Sequence, residues 1–131
     1  MPTIFFPISG RSLSNPSGYM SVRMLSEILD SNKNFFEPIF SVQTHTHRLH
    51  RFNGPSTARS RGETVEEYQA RIESDLKLSK KFFRENLGYH PTILALPFGR
   101  GLNLDLIAAS QKSGIDMVRG FGGDGEVFYK G

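Results

Sequence analysis

The chain has 131 residues, with 16 Lys or Arg against 13 Asp or Glu, so its formal charge is +3. That is one domain's length or part of a larger one, and 37% apolar with 22% charged residues is a globular balance, not a disordered one. The weak basicity excludes a densely charged nucleic-acid binder, no apolar run reaches the ~20 residues of a membrane span, and the lack of Cys excludes disulfides, thiolate metal sites and cysteine nucleophiles.

Thr3-Ile4-Phe5-Phe6-Pro7-Ile8 is short, apolar and β-branched or aromatic, which predicts a buried strand. Ser9 to Ser17 is rich in Ser, Gly and Pro and reads as a loop. Ser21 is a candidate N-cap for a helix over Val22 to Asp30, where Met24, Leu25, Ile28 and Leu29 recur at helical spacing. A second strand follows near Ile39 to Gln43, and then the cluster His45-Thr46-His47-Arg48-Leu49-His50. Arg51 to Gly62 is polar, basic and contains Gly and Pro, so a long loop is expected.

Thr64 and Glu67 have the spacing of a capping box, and Tyr68, Ile72, Leu76, Phe83 and Leu87 lie near one stripe of the helix that follows. Gly88 supplies its stop, and Glu73 and Lys77 form a supporting pair one turn apart. Pro91 to Leu96 reads as a third buried strand, running into the turn Pro97-Phe98-Gly99-Arg100-Gly101. Asn103 caps a helix over Leu104 to Lys112, Gly114 closes it, and Ile115 to Val118 is a fourth strand before a glycine-rich loop, Gly120 to Gly125. Continuously apolar strands alternating with helices predict an α/β fold with parallel strands and covering helices. No glycine-rich phosphate fingerprint follows the first strand, so a Rossmann reading is unsupported.

Three of the four histidines fall within six residues, directly after a strand. Loops at the C-terminal ends of parallel strands build active sites, and two imidazoles on one short segment make a chelate of low entropy. The same composition also fits a polar surface loop, since Arg48 and Arg51 flank the cluster. His90, isolated before a proline, reads as a structural loop residue. The Pro-aromatic-Gly turn at Pro97-Phe98-Gly99 fixes backbone N–H groups that could stabilise an oxyanion.

These segments carry a resemblance. Val42 to Phe52, VQTHTHRLHRF, resembles the "SHTYDLHH"-type motif of the polysaccharide deacetylases (NodB homology, carbohydrate esterase family four). The His45 to His50 spacing is most similar to that of the poly-β-1,6-N-acetylglucosamine N-deacetylases of biofilms. Leu94 to Asn103, LALPFGRGLN, resembles their "YPYGxYN" motif, and Glu66 to Lys81 their long "EYxxRIxxDLxxSK" helix. Thr3 to Phe6 is similar to the "ATFFV" strand and Gly18 to Ser21 to the "GYLTW" helix start, so the likeness spans nearly the whole chain in order.

The resemblance implies a partial distorted (β/α) barrel over residues 1–131 and hydrolysis of N-acetyl groups on a β-linked N-acetylglucosamine polysaccharide. It implies a divalent metal, zinc first and cobalt, nickel or iron otherwise, held by His45, His50 and an aspartate. It places the Phe98 backbone N–H as oxyanion donor, Thr46 as support for the ligand loop, and His47 at a variable, non-ligand position. Pro97, Gly99 and Asp124 are its substrate-binding candidates. The family's Asp-Asp pair and late histidine have no counterpart here, so the chain is expected to be truncated at both ends and weak or inactive alone. No secretory signal is visible at Met1-Pro2-Thr3, yet such enzymes act in the periplasm or at the cell surface. Open barrel edges suggest self-association. Two other readings stand: a non-catalytic carbohydrate-binding or interaction module using Phe52 or Phe98, and nucleic-acid binding through Arg48, Arg51, Arg59 and Arg61, which lacks interleaved aromatics and is set aside.

Overall fold

Helices connect the first four strands along the chain, as the periodicities require. The computed structural model describes residues 2–122 and 125–130, with side chains described as far as Gly120. In order the elements are β1 (Thr3–Phe5), α1 (Ser9–Ser14), α2 (Val22–Asp30), β2 (Phe40–Val42), α3 (Val65–Leu87), β3 (Ile93–Ala95), α4 (Leu104–Lys112), β4 (Met117–Gly122) and β5 (Gly125–Lys130). Two short 3-10 turns, Ser31–Asn34 and Pro97–Gly99, complete them.

The expected caps form. The Ser21 hydroxyl accepts from Met24 N–H at 3.2 Å and the Asn103 amide oxygen from Leu106 N–H at 2.9 Å. Thr64 and Glu67 close both bonds of a capping box at 3.1 and 2.9 Å, and Gly88 ends α3 in the left-handed region at φ 80°.

β1 pairs parallel with β2, Thr3 opposite Phe40, and β3 pairs parallel with β4, Ile93 opposite Met117. Thr44 joins the two pairs: its N–H donates to Ile93 O at 3.1 Å and its carbonyl accepts from Ala95 N–H at 3.0 Å. Gln43 extends the seam, its amide oxygen accepting from Thr92 and Ile93 N–H at 2.9 and 3.0 Å. Four parallel strands therefore stand side by side in chain order, with helices on the connections, and the ends of β2 and β3 lie next to each other.

α3 is the spine. At 23 residues it is about 34 Å long and crosses two apolar clusters. Tyr68, Ile72 and Leu76 pack with Leu94 and Leu96, with Leu106 and Ala109 of α4, and with Ile115 and Val118. Phe82 and Phe83 pack with Leu25 of α2 and Val42 of β2. Between these patches the same face buries Asp75 and Ser79.

Four expectations are corrected. The segment after Ser9 begins with a helix, because Ser9 and Gly10 N–H donate to Thr46 and His47 carbonyls at 3.2 Å each and hold its first turn. The all-parallel reading fails at the end of the chain: β5 runs antiparallel to β4, Met117 opposite Lys130. β4 also continues through the expected glycine loop to Gly122. Gly120 reads as a breaker but marks a close approach, since a Cβ there would meet the Leu96 side chain at 3.1 Å and Gly99 O at 3.3 Å. Finally, Glu73 pairs with Lys112 of α4 at 3.1 Å, not with Lys77, because α4 lies against α3.

Candidate active site

β2 ends at Val42, and the next residues deliver the histidines to the C-terminal edge of the sheet. His45 is pinned at both ends: its N–H donates to Pro7 O at 3.2 Å, and its Nδ1 lies 2.8 Å from Ala95 O. A carbonyl oxygen can only accept, so Nδ1 carries the proton and a neutral ring presents a bare Nε2. Burial pushes the His45 imidazole below its ordinary pKa, and the Ala95 bond opposes this, while His50 and Arg119 add to it. The ring is held as the neutral ligand form at physiological pH.

His50 stands beside it, ring centroids 5.1 Å apart. Phe98 stacks on His50 at 4.4 Å, and Phe52 on Phe98 at 4.2 Å. The structure thus brings together His45, His50 and the Pro97-Phe98-Gly99 turn. A cavity of about 200 Å³ lined by His45, Ala95, Leu96, Phe98, Gly99, Arg119 and Gly120 opens beside them.

The turn after β3 is closed by Gly99 N–H to Leu96 O at 2.9 Å and Arg100 N–H to Pro97 O at 3.2 Å. Proline has no N–H, so the Phe98 N–H is the one donor of the turn that neither bond uses. Phe98 is in the left-handed region at φ 55°, a strained position for an aromatic residue. Pro97 and Gly99 are buried and shape the turn with their backbone. Asp124 lies outside the described residues.

The turn after β2 rests on α3. The buried Asp75 carboxylate accepts from His47 N–H at 2.7 Å and Arg48 N–H at 2.8 Å. Burial raises its pKa, against the pull of those two amide bonds toward the charged form. Ser79 lies 2.6 Å from the Thr44 hydroxyl, and His47 Nδ1 is 2.9 Å from Ser9 Oγ. His47 is therefore held among scaffold groups, with its ring pKa lowered by burial. Thr46 takes φ 69°, and its buried hydroxyl has no partner among the described residues. Its carbonyl, not its hydroxyl, is engaged, accepting from Ser9 N–H.

Asp75 and Ser79 enter the sequence reading only as letters of the helix motif, with no role attached, and Arg119 does not enter it. The signal for the first two was present: each sits on the apolar stripe of α3, where a polar residue must have a partner. Arg119 sits at a strand position and carried no such mark.

The two imidazoles suit zinc, cobalt, nickel or iron. No cluster of three or more His, Asp or Glu forms among the described residues, so this set supplies two nitrogen donors and no anionic one. His90 is exposed and lines a different groove, with lysines of α3. No helix among the described residues is long and apolar enough to cross a membrane.

No protein-family model and no curated protein sequence matches the chain. Solved structures do. A de-N-acetylase from Aggregatibacter actinomycetemcomitans superposes with TM-score 0.73 at 20% identity, covering 98% of this chain and 56% of that one. The deacetylase domain of BpsB from Bordetella bronchiseptica gives 0.71 at 22%, covering 89% and 53%. A polysaccharide deacetylase from Bacillus cereus gives 0.66 at 22%, covering 100% and 34%. The chain spans about half the length of the first two and a third of the last. Over that span it has the α/β fold of the polysaccharide deacetylases.

Proposed function

We propose that the chain carries the histidine and oxyanion portion of a metal-dependent polysaccharide N-deacetylase, acting on a β-linked N-acetylglucosamine polymer. The observation that carries this reading is the tautomer-defined His45 Nε2 beside His50, over the turn of Phe98. His45 and His50 would hold a divalent ion, zinc before cobalt, nickel or iron. When bound, that ion supplies Lewis acidity and a lowered pKa for a coordinated water.

The remaining work falls to the chain's own groups. The Ala95 carbonyl fixes the His45 ring plane and tautomer. Asp75 holds the turn that spaces the two rings. The Phe98 N–H can donate to the acetamide oxygen as negative charge develops there, beside a cavity that Phe98 itself helps to line. Thr46 remains a candidate support for the ligand turn through its backbone. Such an activity belongs outside the cytoplasm.

Acetate, a product of the reaction, is the direct probe. Acetate added to the zinc-loaded protein should shift the Phe98 amide resonance, and acetate added without zinc should not. No zinc-dependent shift would reject the oxyanion role. With only two donors among the described residues, the chain alone should release little acetate from a chitooligosaccharide, and turnover typical of a complete enzyme would refute that.

One observation favours the non-catalytic carbohydrate-binding alternative: Phe52 is 80% exposed yet stacked on Phe98, the arrangement of a sugar platform. Saturable oligosaccharide binding without metal, lost in Phe52→Ala, would favour it. Self-association is proposed through the edge of β1, which pairs only with β2 among the described residues and exposes Ile4. A monomeric mass in solution would count against it.

A further inference from the structure

The α1 side of the histidine turn is basic. A cavity of about 410 Å³ there is lined by Arg11, Arg48 and Arg51 together with His47 and His50. None of the three arginines has a carboxylate within ion-pair distance among the described residues. The nearest acid the turn uses, Asp75, is buried and occupied by the His47 and Arg48 amides.

The walls are fixed by the backbone. Gly10 N–H donates to His47 O at 3.2 Å, and Ser9 Oγ lies 2.9 Å from His47 Nδ1. A Cβ on Gly10 would collide with the His47 carbonyl, so α1 and the turn are stitched at their closest approach. Arg11 on α1 is thereby set against Arg48 and Arg51 on the turn. Arg51 Nε donates to Arg48 O at 3.1 Å, which orients its guanidinium and leaves the outer nitrogens open. The Arg11 guanidinium lies over the Tyr19 ring at 5.4 Å, a contact that leaves its in-plane donors available.

Of the three guanidiniums lining this cavity only Arg48 feels the Asp75 carboxylate, so the cavity as a whole offers donors that an oxyanion can take in charge-assisted, forked hydrogen bonds. His50 belongs both to this cavity and to the metal pair. We infer that the cavity is a subsite for an anionic substituent (carboxylate, sulfate or phosphate) on the saccharide whose acetamide lies at His45 and His50. The preferred substrate is then a β-linked N-acetylglucosamine polymer that carries acidic substituents, over the unsubstituted neutral polymer. This inference rests on the deacetylase reading.

The test is titration of the chain with N-acetylglucosamine 6-sulfate, N-acetylglucosamine, inorganic sulfate and a short oligothymidylate at low salt, followed by calorimetry and by arginine side-chain resonances. The sulfated sugar should bind at least about tenfold more tightly than the neutral sugar or sulfate alone, and the preference should shrink as salt rises. Arg11→Gln and Arg51→Gln should each remove most of it, with folding checked by circular dichroism. Equal affinity for the two sugars, sulfate binding as well as the sulfated sugar, a preference unchanged in both variants, or tighter binding of the oligothymidylate would each overturn the subsite. A parallel zinc titration separates the two ideas. Shifts of the His45 and His50 ring signals without any charge preference defeat the subsite alone. Arginine-dependent sugar binding without those shifts defeats the metal reading alone.

Discussion

The turns after β2 and β3 face each other across the site and are built by different means. Each contains a non-glycine residue in the left-handed region, Thr46 at φ 69° and Phe98 at φ 55°. The first turn is held from a distance: Asp75 and Ser79 on α3 and Ser9 on α1 reach it across the sequence. The second is held locally, by two bonds within Leu96 to Arg100 and by ring stacking on His50 and Phe52. A strained backbone persists only where its surroundings over-determine it. Here buried polar bonds do this for the histidine turn, and proline, glycine and aromatic contact do it for the Phe98 turn.

The sharpest way to break the contrast is Asp75→Ala. It leaves the buried His47 N–H and the half-buried Arg48 N–H without an acceptor, the first worth roughly 1–3 kcal/mol and the second less, so a loss of about 3 kcal/mol is expected from urea unfolding. A loss under about 1 kcal/mol would mean the turn does not depend on α3.

A smaller effect separates the loop that carries Phe52 from both turns. Arg71 of α3 grips Glu63 with two bonds, at 2.7 and 2.9 Å, and also donates to Ser56 and Ala58 carbonyls. The guanidinium holds the Glu63 carboxyl down at about 2. A carboxyl depressed in the folded state adds stability that is present above its ordinary value and lost as pH falls toward about 2. Acid unfolding should therefore show a loss of about 2 kcal/mol between pH ~4.5 and ~2, after allowing for solvent screening, and Glu63→Gln should flatten that limb. An unchanged limb in the variant would remove Glu63 from the account.

The smallest expected effect is at Phe98. Phe98→Gly and Phe98→Ala both lose the stacking, but only glycine relieves the left-handed strain. Glycine should come out more stable than alanine by about 1 kcal/mol. Equal stabilities would mean the turn relaxes without strain.

This contrast also explains what was legible in the sequence. The caps at Ser21, Thr64 and Asn103 and the stripe from Tyr68 to Phe83 depend on near neighbours, so local spacing reveals them. The histidine pair and the Phe98 turn were visible for the same reason. The supports of the histidine turn were not, because Asp75 and Ser79 gain meaning only when α3 lies against β2. The helix at Ser9 is likewise imposed by carbonyls of Thr46 and His47, against a composition that favours a loop. Antiparallel β5 was hidden behind a glycine-rich run whose first member, Gly120, serves close approach beside Leu96 and Gly99.

The central claim is that His45 and His50, and not His47, form the metal-binding pair. Calorimetric titration with zinc measures it most directly, on the wild-type chain and on His45→Ala, His50→Ala and His47→Ala. Zinc affinity should fall at least about tenfold in the first two variants and change far less in His47→Ala. Binding unchanged in His45→Ala and His50→Ala, or lost mainly in His47→Ala, would contradict it.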